Sequence, residues 1–497
     1  MTEPCDLPAV TARALIGERK LSPVELMDSC IRRIEEIDPA VNAVIARSFE
    51  TARATAQASE AAVMRGDVLG PLHGLPLAVK DLIDAKGLPT SFGSVLFADN
   101  IAAEDEAIVA MLKRAGVIVV GKTNVPEWGA GGNTRNALHG ATGNPFDPER
   151  SAAGSSGGSA VALATGMVPL ATGSDTGGSV RNPAAFCGVV GFRPSPGLIA
   201  SNSRNMAWLQ ISQLGPMARN VSDACLMLSC MLDRDARDPL SAILHAGGTP
   251  EAATYRNPPR VDLAGLRIAA TSDFGFAPTE RAVAETFKAK LAAFGSAFRS
   301  LEWTHPDCSH ADEVFRVLRA VAFLGRHREL AEKYPDKVGP NIRDNVAEGL
   351  GYSALDVARA LSLQTALYRS WQQFFGEHDF VIAPAVTISP RPWSELYPAM
   401  IDGTPTKSYF HWLALAYAVT NAGHPAVAIP AGRDGAGLPF GIQIIGPRGG
   451  DVATLAVARE IETLLGANPE TARPVPDLAW LRRQPPISSR PGFLNFD

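Results

Sequence analysis

Long apolar runs, basic blocks and clustered cysteines are all missing from this sequence. No apolar run is long enough to span a membrane. The first residues, MTEPCDLPAV, lack the basic and apolar regions of a secretory leader, so a cytoplasmic location is expected. The net charge is −5, from 46 Lys and Arg against 51 Asp and Glu, and without a basic block no nucleic-acid partner is expected. Six cysteines, at positions 5, 30, 187, 225, 230 and 308, are scattered. None forms a Cys-x-x-Cys pair and none sits near histidines at zinc-ligand spacing, so they read as reduced thiols, with no metal and no cofactor expected. Cys187 lies in an apolar Ala-Ala-Phe-Cys-Gly-Val-Val run, which favours a buried structural thiol over a nucleophile. Ser-x-x-Lys, His-Glu-x-x-His, internal repeats and low-complexity segments are absent too.

What remains is a chain of 497 residues, 46% apolar and 20% charged, of soluble globular composition. Its length alone would allow two or three domains. One stretch stands out, from Gly154 to Phe192. Two Gly/Ser clusters, Gly154-Ser155-Ser156-Gly157-Gly158-Ser159 and Gly173-Ser174-Asp175-Thr176-Gly177-Gly178-Ser179, bracket a short apolar segment. Ala160 to Thr165 is helix-compatible, and Met167 to Ala171 reads as a buried strand. Each cluster therefore sits on a tight connection at the end of a regular element. Glycines let successive backbone N–H groups converge on one point, and a serine beside them supplies a hydroxyl. That is the layout of an acyl-transfer site, a nucleophile next to an oxyanion hole.

The same residues resemble the signature of the amidase signature family of serine hydrolases. The match departs at Ala153, where the family pattern has glycine, and at Val180, where it has isoleucine. The resemblance covers about residues 8 to 465 and is strongest from 70 to 230. It implies an α/β fold, a single domain over 1–497 with a mixed central sheet flanked by helices on both faces. Within it, 70–230 would be the signature core, 235–375 a variable and mostly helical region at the substrate entrance, and 376–465 the C-terminal strands and helix.

Several segments can be read in order. Ser22-Pro23-Val24-Glu25 is a capping box with proline at the first helical position, and Asp38-Pro39 is expected to end that helix. Ala52 to Arg65 reads as a second helix. Leu75 to Val79 reads as a buried strand ending in Lys80. From spacing alone, Lys80 is a lysine that snorkels to solvent or pairs with Asp81; the resemblance instead implies the catalytic lysine. Gly116 to Thr123 fits the phosphate-loop pattern G-x-x-x-x-G-K-T. Nucleotide binding is rejected, because Val117 to Val120 would themselves form the strand and Asn124-Val125-Pro126 interrupts any following helix. Trp128 to Asn136 is a glycine-rich loop, which spacing leaves open as surface loop or pocket wall. The resemblance makes Trp128, Gly129 and Ala130 substrate-pocket candidates on the acyl side.

Further on, a helix is expected from near Ser222 and a long loop over 235–260. Leu266 to Thr271 reads as a strand, Thr279 to Phe294 as a helix, and Ala311 to Phe375 as mainly helical, with His327 isolated. Phe380 to Pro384, His424 to Gly432 and Leu438 to Gly446 read as strands. Asp402 to Tyr409 is expected to be a polar loop, with residues near Tyr409 and Trp412 helping to shape the acyl pocket.

The resemblance implies roles. Ser179 would be the nucleophile, Ser155, 24 residues earlier and preceded by a cis peptide bond, the bridging serine, and Lys80 the base. The N–H groups of Thr176, Gly177, Gly178 and Ser179 would form the oxyanion hole. Ser156 would support Lys80, while Asp175 and Arg181 would pair and brace the loop. The implied activity is hydrolysis of a small-molecule amide to acid plus ammonia or amine, with esterase activity on the side and a homodimer compatible with it. The alternative is the glutaminase subunit of a tRNA-dependent amidotransferase complex. Such subunits carry a Tyr-Tyr-Asp-type segment in the third quarter of the chain, where only Tyr352 and Tyr368 fall here, apart. A non-catalytic protein on the same fold is disfavoured because all three reactive positions are intact.

Overall fold

Runs of Val, Ile, Leu and Ala assemble one sheet of eleven strands in a computed structural model that describes residues 3–245 and 247–494. The strands are β1 (Val44–Arg47), β2 (Pro76–Lys80), β3 (Ile118–Thr123), β4 (Leu170–Asp175), β5 (Val190–Arg193) and β6 (Gln213–Ala218). They continue with β7 (Arg267–Ala270), β8 (Ser300–Trp303), β9 (Phe380–Pro384), β10 (Ala426–Arg433) and β11 (Pro439–Ile445). Their spatial order is β1-β3-β2-β4-β6-β5-β10-β11-β9-β7-β8. The sheet is mixed: β2 runs parallel to β3 and β4, and β7 parallel to β8 and β9, while the middle strands alternate. The central strands are buried along their length because helices and apolar clusters cover both faces.

The helix α1 (Pro23–Val41) starts on the expected capping box, with Ser22 accepting from Val24 N and Glu25 N. It does not stop at Asp38-Pro39. A proline inside a helix forfeits one hydrogen bond, but here the helix ends within a turn, where Asn42 adopts φ +52°. Asp38 then accepts from the Ala43 and Val44 amides at 2.7 and 3.0 Å, which turns the chain into β1.

Other boundaries differ from expectation for physical reasons. The strand expected at Met167 to Ala171 is β4, three residues later, because Leu170 to Asp175 all pair with β6. The second Gly/Ser cluster thus begins as strand rather than loop. Residues 235–260 are not one loop: Asp238 caps a helix at Pro239–Leu244, and another spans Ala252–Arg256, while Ala246 lies outside the described residues. The polar loop at 402–409 begins as a hairpin turn, with Met400–Ile401 pairing Thr404–Pro405. The phosphate-loop look-alike is strand β3 from Ile118 through Thr123.

Candidate active site

Lys80 ends β2 with no exposed surface. Its backbone N–H donates to Thr172 Oγ1 at 2.8 Å, tying it to β4, the neighbouring parallel strand. Its Nζ lies 2.8 Å from Ser155 Oγ, 2.7 Å from Ser156 Oγ and 2.9 Å from Ser174 Oγ. Burial pushes the lysine down to about 7, against a smaller upward pull from Asp175. The expected alternative, a pair with Asp81, does not form. Asp81 instead meets Lys122, buried on the neighbouring strand, at 3.3 Å, and accepts from the Ser91 amide and hydroxyl.

The two serines come from the N-terminus of α2 (Gly157–Ala164), which begins just after Ser156. The Gly154–Ser155 peptide bond is cis, and Ala153 before it sits at φ +58°, a region that favours the glycine of the family pattern. Gly157 and Gly158 let the helix start press against its neighbours: a Cβ on Gly158 would stand 2.4 Å from Asn124 N. Ser156 N donates to the Ser179 carbonyl at 3.1 Å, so the two Gly/Ser clusters are stitched together. Ser179 itself keeps 9% of its surface exposed, and its hydroxyl has no hydrogen-bond partner among the described residues.

Asp175, at the end of β4, organises the following loop. Arg181, on the short helix α3 (Arg181–Cys187), binds both its oxygens at 3.0 Å, and Arg193 at the end of β5 binds Oδ1 at 3.1 Å. Burial alone would raise this carboxyl, but the two guanidiniums hold it well below the usual carboxylate range. Gly178, expected among the oxyanion donors, gives its amide to Asp175 Oδ1 at 3.0 Å instead. The amides of Thr176, Gly177 and Ser179 have no partner among the described residues and remain free to donate.

A cavity of about 180 Å³ opens over this machinery, with Ser155, Ser174 and Thr176 among its lining residues. Trp128 and Gly129 form part of its wall. Trp128 is held rigidly: its ring stacks on Phe92 at 4.2 Å and meets Phe97 edge-on at 5.0 Å. Ala130 does not line the cavity. It is buried behind the wall, where its carbonyl accepts from Asn341 Nδ2 at 2.7 Å. Tyr409 and Trp412 do not reach the cavity either. The Tyr409 hydroxyl accepts from Arg319 behind the wall, and Trp412 packs over Gly132, where a Cβ would stand 2.3 Å away.

Three sets of residues escape the sequence reading. Ser174 shares a strand face with Thr172, two residues earlier, and that period of two is a readable signal. Arg193, a charge closing an apolar strand, is another. The polar segment 201–214 lines much of the cavity and has no periodicity that would reveal it. His327 is not isolated: it lies on the helix α4 (Ala311–Lys333), 4.9 Å from the Trp128 ring, and burial lowers it to about 3. Among the described residues, no group of three His, Cys, Asp or Glu could hold a metal, and no helix is long and apolar enough to cross a membrane.

The family model described as Amidase matches residues 25–455. The chain is 32% identical over 463 residues to an acylamidase of Rhodococcus erythropolis, covering 92% of this chain and 95% of that protein. It is 31% identical to a glutamyl-tRNA(Gln) amidotransferase subunit of Moorella thermoacetica, covering 90% of this chain and 94% of that protein. Among solved structures, a bacterial aryl acylamidase of the amidase signature enzymes superposes with a TM-score of 0.83 at 25% identity, covering 98% of this chain and 99% of that one.

Proposed function

Because the chain belongs to the amidase family, whose chemistry is amide hydrolysis, we propose that it works through an acyl-enzyme on Ser179. Ser179 Oγ attacks the amide carbonyl carbon. Its proton passes to Ser155, and the Ser155 proton passes to Lys80 Nζ. The free amides of Thr176, Gly177 and Ser179 receive the developing oxyanion; one such donor is worth about 3 kcal/mol in the transition state. The proton then returns through Ser155 to the leaving nitrogen as the C–N bond breaks. Water, deprotonated by the same relay, releases the acid and regenerates Ser179.

One observation carries this reading: a fully buried lysine, lowered to about 7, stands 2.8 Å from Ser155 Oγ. An ordinary lysine, near 10.4, would be almost wholly protonated at neutral pH and could not accept a proton. Asp175, Arg181 and Arg193 brace the donor loop, and Ser156 and Ser174 hold the lysine in place. Esters should react as well, since they are easier acyl donors for the same serine.

Hydroxylamine competition tests the acyl-enzyme. An amide and an ester of the same acid should give hydroxamate and free acid in one common ratio. Product without hydroxamate, or two different ratios, would contradict a shared intermediate.

A second reading, the glutaminase component of an amidotransferase, draws on the 31% identity to the Moorella thermoacetica protein. It requires that the isolated chain be nearly inert and copurify with partner proteins. Amide turnover by the purified chain alone excludes it.

A further inference from the structure

Arg319 is only 6% exposed, yet no Asp or Glu lies within ion-pair distance of it among the described residues. Its hydrogen bonds go to the Tyr409 hydroxyl, from Nε at 2.6 Å and from Nη2, and Nη1 makes none. Its guanidinium lies 4.7 Å from the Phe323 ring centre and 5.1 Å from that of Tyr409. Elsewhere in the interior, Arg33, Arg181, Arg193 and Arg204 each meet a carboxylate, and Arg219 donates to the Cys5 and Leu7 carbonyls; Arg319 has neither a carboxylate nor a backbone carbonyl. A buried cation without a counter-ion is unfavourable, and aromatic faces offset only part of that cost.

Arg319 also lines the cavity that holds Ser155 and Thr176. One turn earlier on α4, Phe315 presses on the oxyanion loop: a Cβ on Gly177 would stand 2.8 Å from its ring. Arg319, Phe323 and His327 recur every four residues, so one helix face runs outward from the loop along the cavity wall. His327 meets Trp128 at 4.9 Å, which puts this face on the same side as the Trp128 wall.

Of the cavity's other charges, Glu106 accepts from Ser203 at 2.9 Å and Arg204 binds Asp238. Arg326 bonds no carboxylate among the described residues either, but it is exposed to solvent, with its guanidinium 5.2 Å from the Trp128 ring centre. Arg319 is the buried cation of this cavity left without a carboxylate. We propose that Arg319 recognises an anion on the substrate: the amide hydrolysed here carries a carboxylate in its acyl part, a few bonds from the scissile carbonyl. This rests on the Ser179 reading of the site.

The test compares glutaric acid mono-anilide with valeranilide, which share leaving group and acyl length and differ in the terminal carboxylate. The wild type should favour the carboxylate anilide at least tenfold in kcat/KM. In Arg319→Gln that ratio should fall tenfold or more, through KM for the charged anilide, and Arg319→Lys should recover part of it. A second arm needs no variant and no turnover: glutarate should slow labelling of the wild type by a fluorophosphonate more than valeramide does. A wild type that is labelled but shows neither the preference nor the protection overturns the inference and leaves the serine mechanism standing. An unchanged ratio in a folded Arg319→Gln, with both anilides slowed alike, also overturns it and makes Arg319 a brace for Tyr409. A wild type that the probe never labels overturns both readings.

Discussion

Lys80 Nζ lies 2.8 Å from Ser155 Oγ, with no exposed surface on the lysine and no carboxylate bonded to it among the described residues. Two consequences follow from that placement. The amine can be neutral near pH 7, and its lone pair faces the hydroxyl that must lose a proton.

Replacing Lys80 with methionine keeps the side-chain length and removes the base. We expect kcat/KM on an amide to fall about 10³-fold or more, in line with the usual contribution of a positioned base. The loss on an ester of the same acid should be smaller, because an alkoxide leaving group needs its proton less than an amine does. Steady-state kinetics on the matched pair reads this directly.

The pH dependence has a definite sign. Only neutral Lys80 accepts a proton, so kcat/KM should rise with pH, bend at about 7 and level off above it. The same depression affects stability. The unfolded lysine keeps its proton up to about 10.4 while the folded one has lost it, so this group makes the fold more stable as pH rises between about 7 and about 10. A pH–rate profile with a rising limb at that position, absent in Lys80→Met, checks the first statement; urea unfolding at several pH values, wild type against Lys80→Met, checks the second.

Asp175→Asn leaves Arg181 and Arg193 buried without their counter-ion. Breaking a buried pair by removing one partner costs about 3–5 kcal/mol. The urea midpoint should drop accordingly, and activity should fall with it because the donor loop loses its brace. A triple variant that adds apolar replacements of Arg181 and Arg193 to Asp175→Asn should recover part of the stability.

At Gly178 the backbone adopts φ +97°, and a Cβ would stand 2.5 Å from that of Ala416. Gly178→Ala should therefore displace the loop between Asp175 and Ser179. A loss of at least about 10²-fold in kcat is expected, the usual scale for a disturbed oxyanion hole. Val180→Ile, which restores the family pattern, adds one methylene to a fully buried site and should change kcat far less.

Much of this site can be read in the sequence, for a physical reason. The Gly/Ser clusters are local, and their chemistry follows from residues close together in the chain. Lys80 is legible only through the family resemblance, since spacing favours a pair with Asp81. The structure gives Asp81 a different partner because β2 and β3 set Val79 opposite Lys122 and Lys80 opposite Thr123. Arg193 and Ser174 act across strands, where register rather than sequence distance decides who meets. Arg319 looks like one charge among many on a long polar helix, and only the cavity distinguishes it. The 201–214 wall has no periodic pattern at all.

The most direct test is covalent labelling with a fluorophosphonate, with the adduct mapped by peptide sequencing and the rate followed against pH. A single adduct on Ser179, forming faster as pH passes about 7 and lost in Lys80→Met, is the expected result. An adduct on any other serine, or undiminished labelling of Lys80→Met, would contradict the Lys80–Ser155–Ser179 relay.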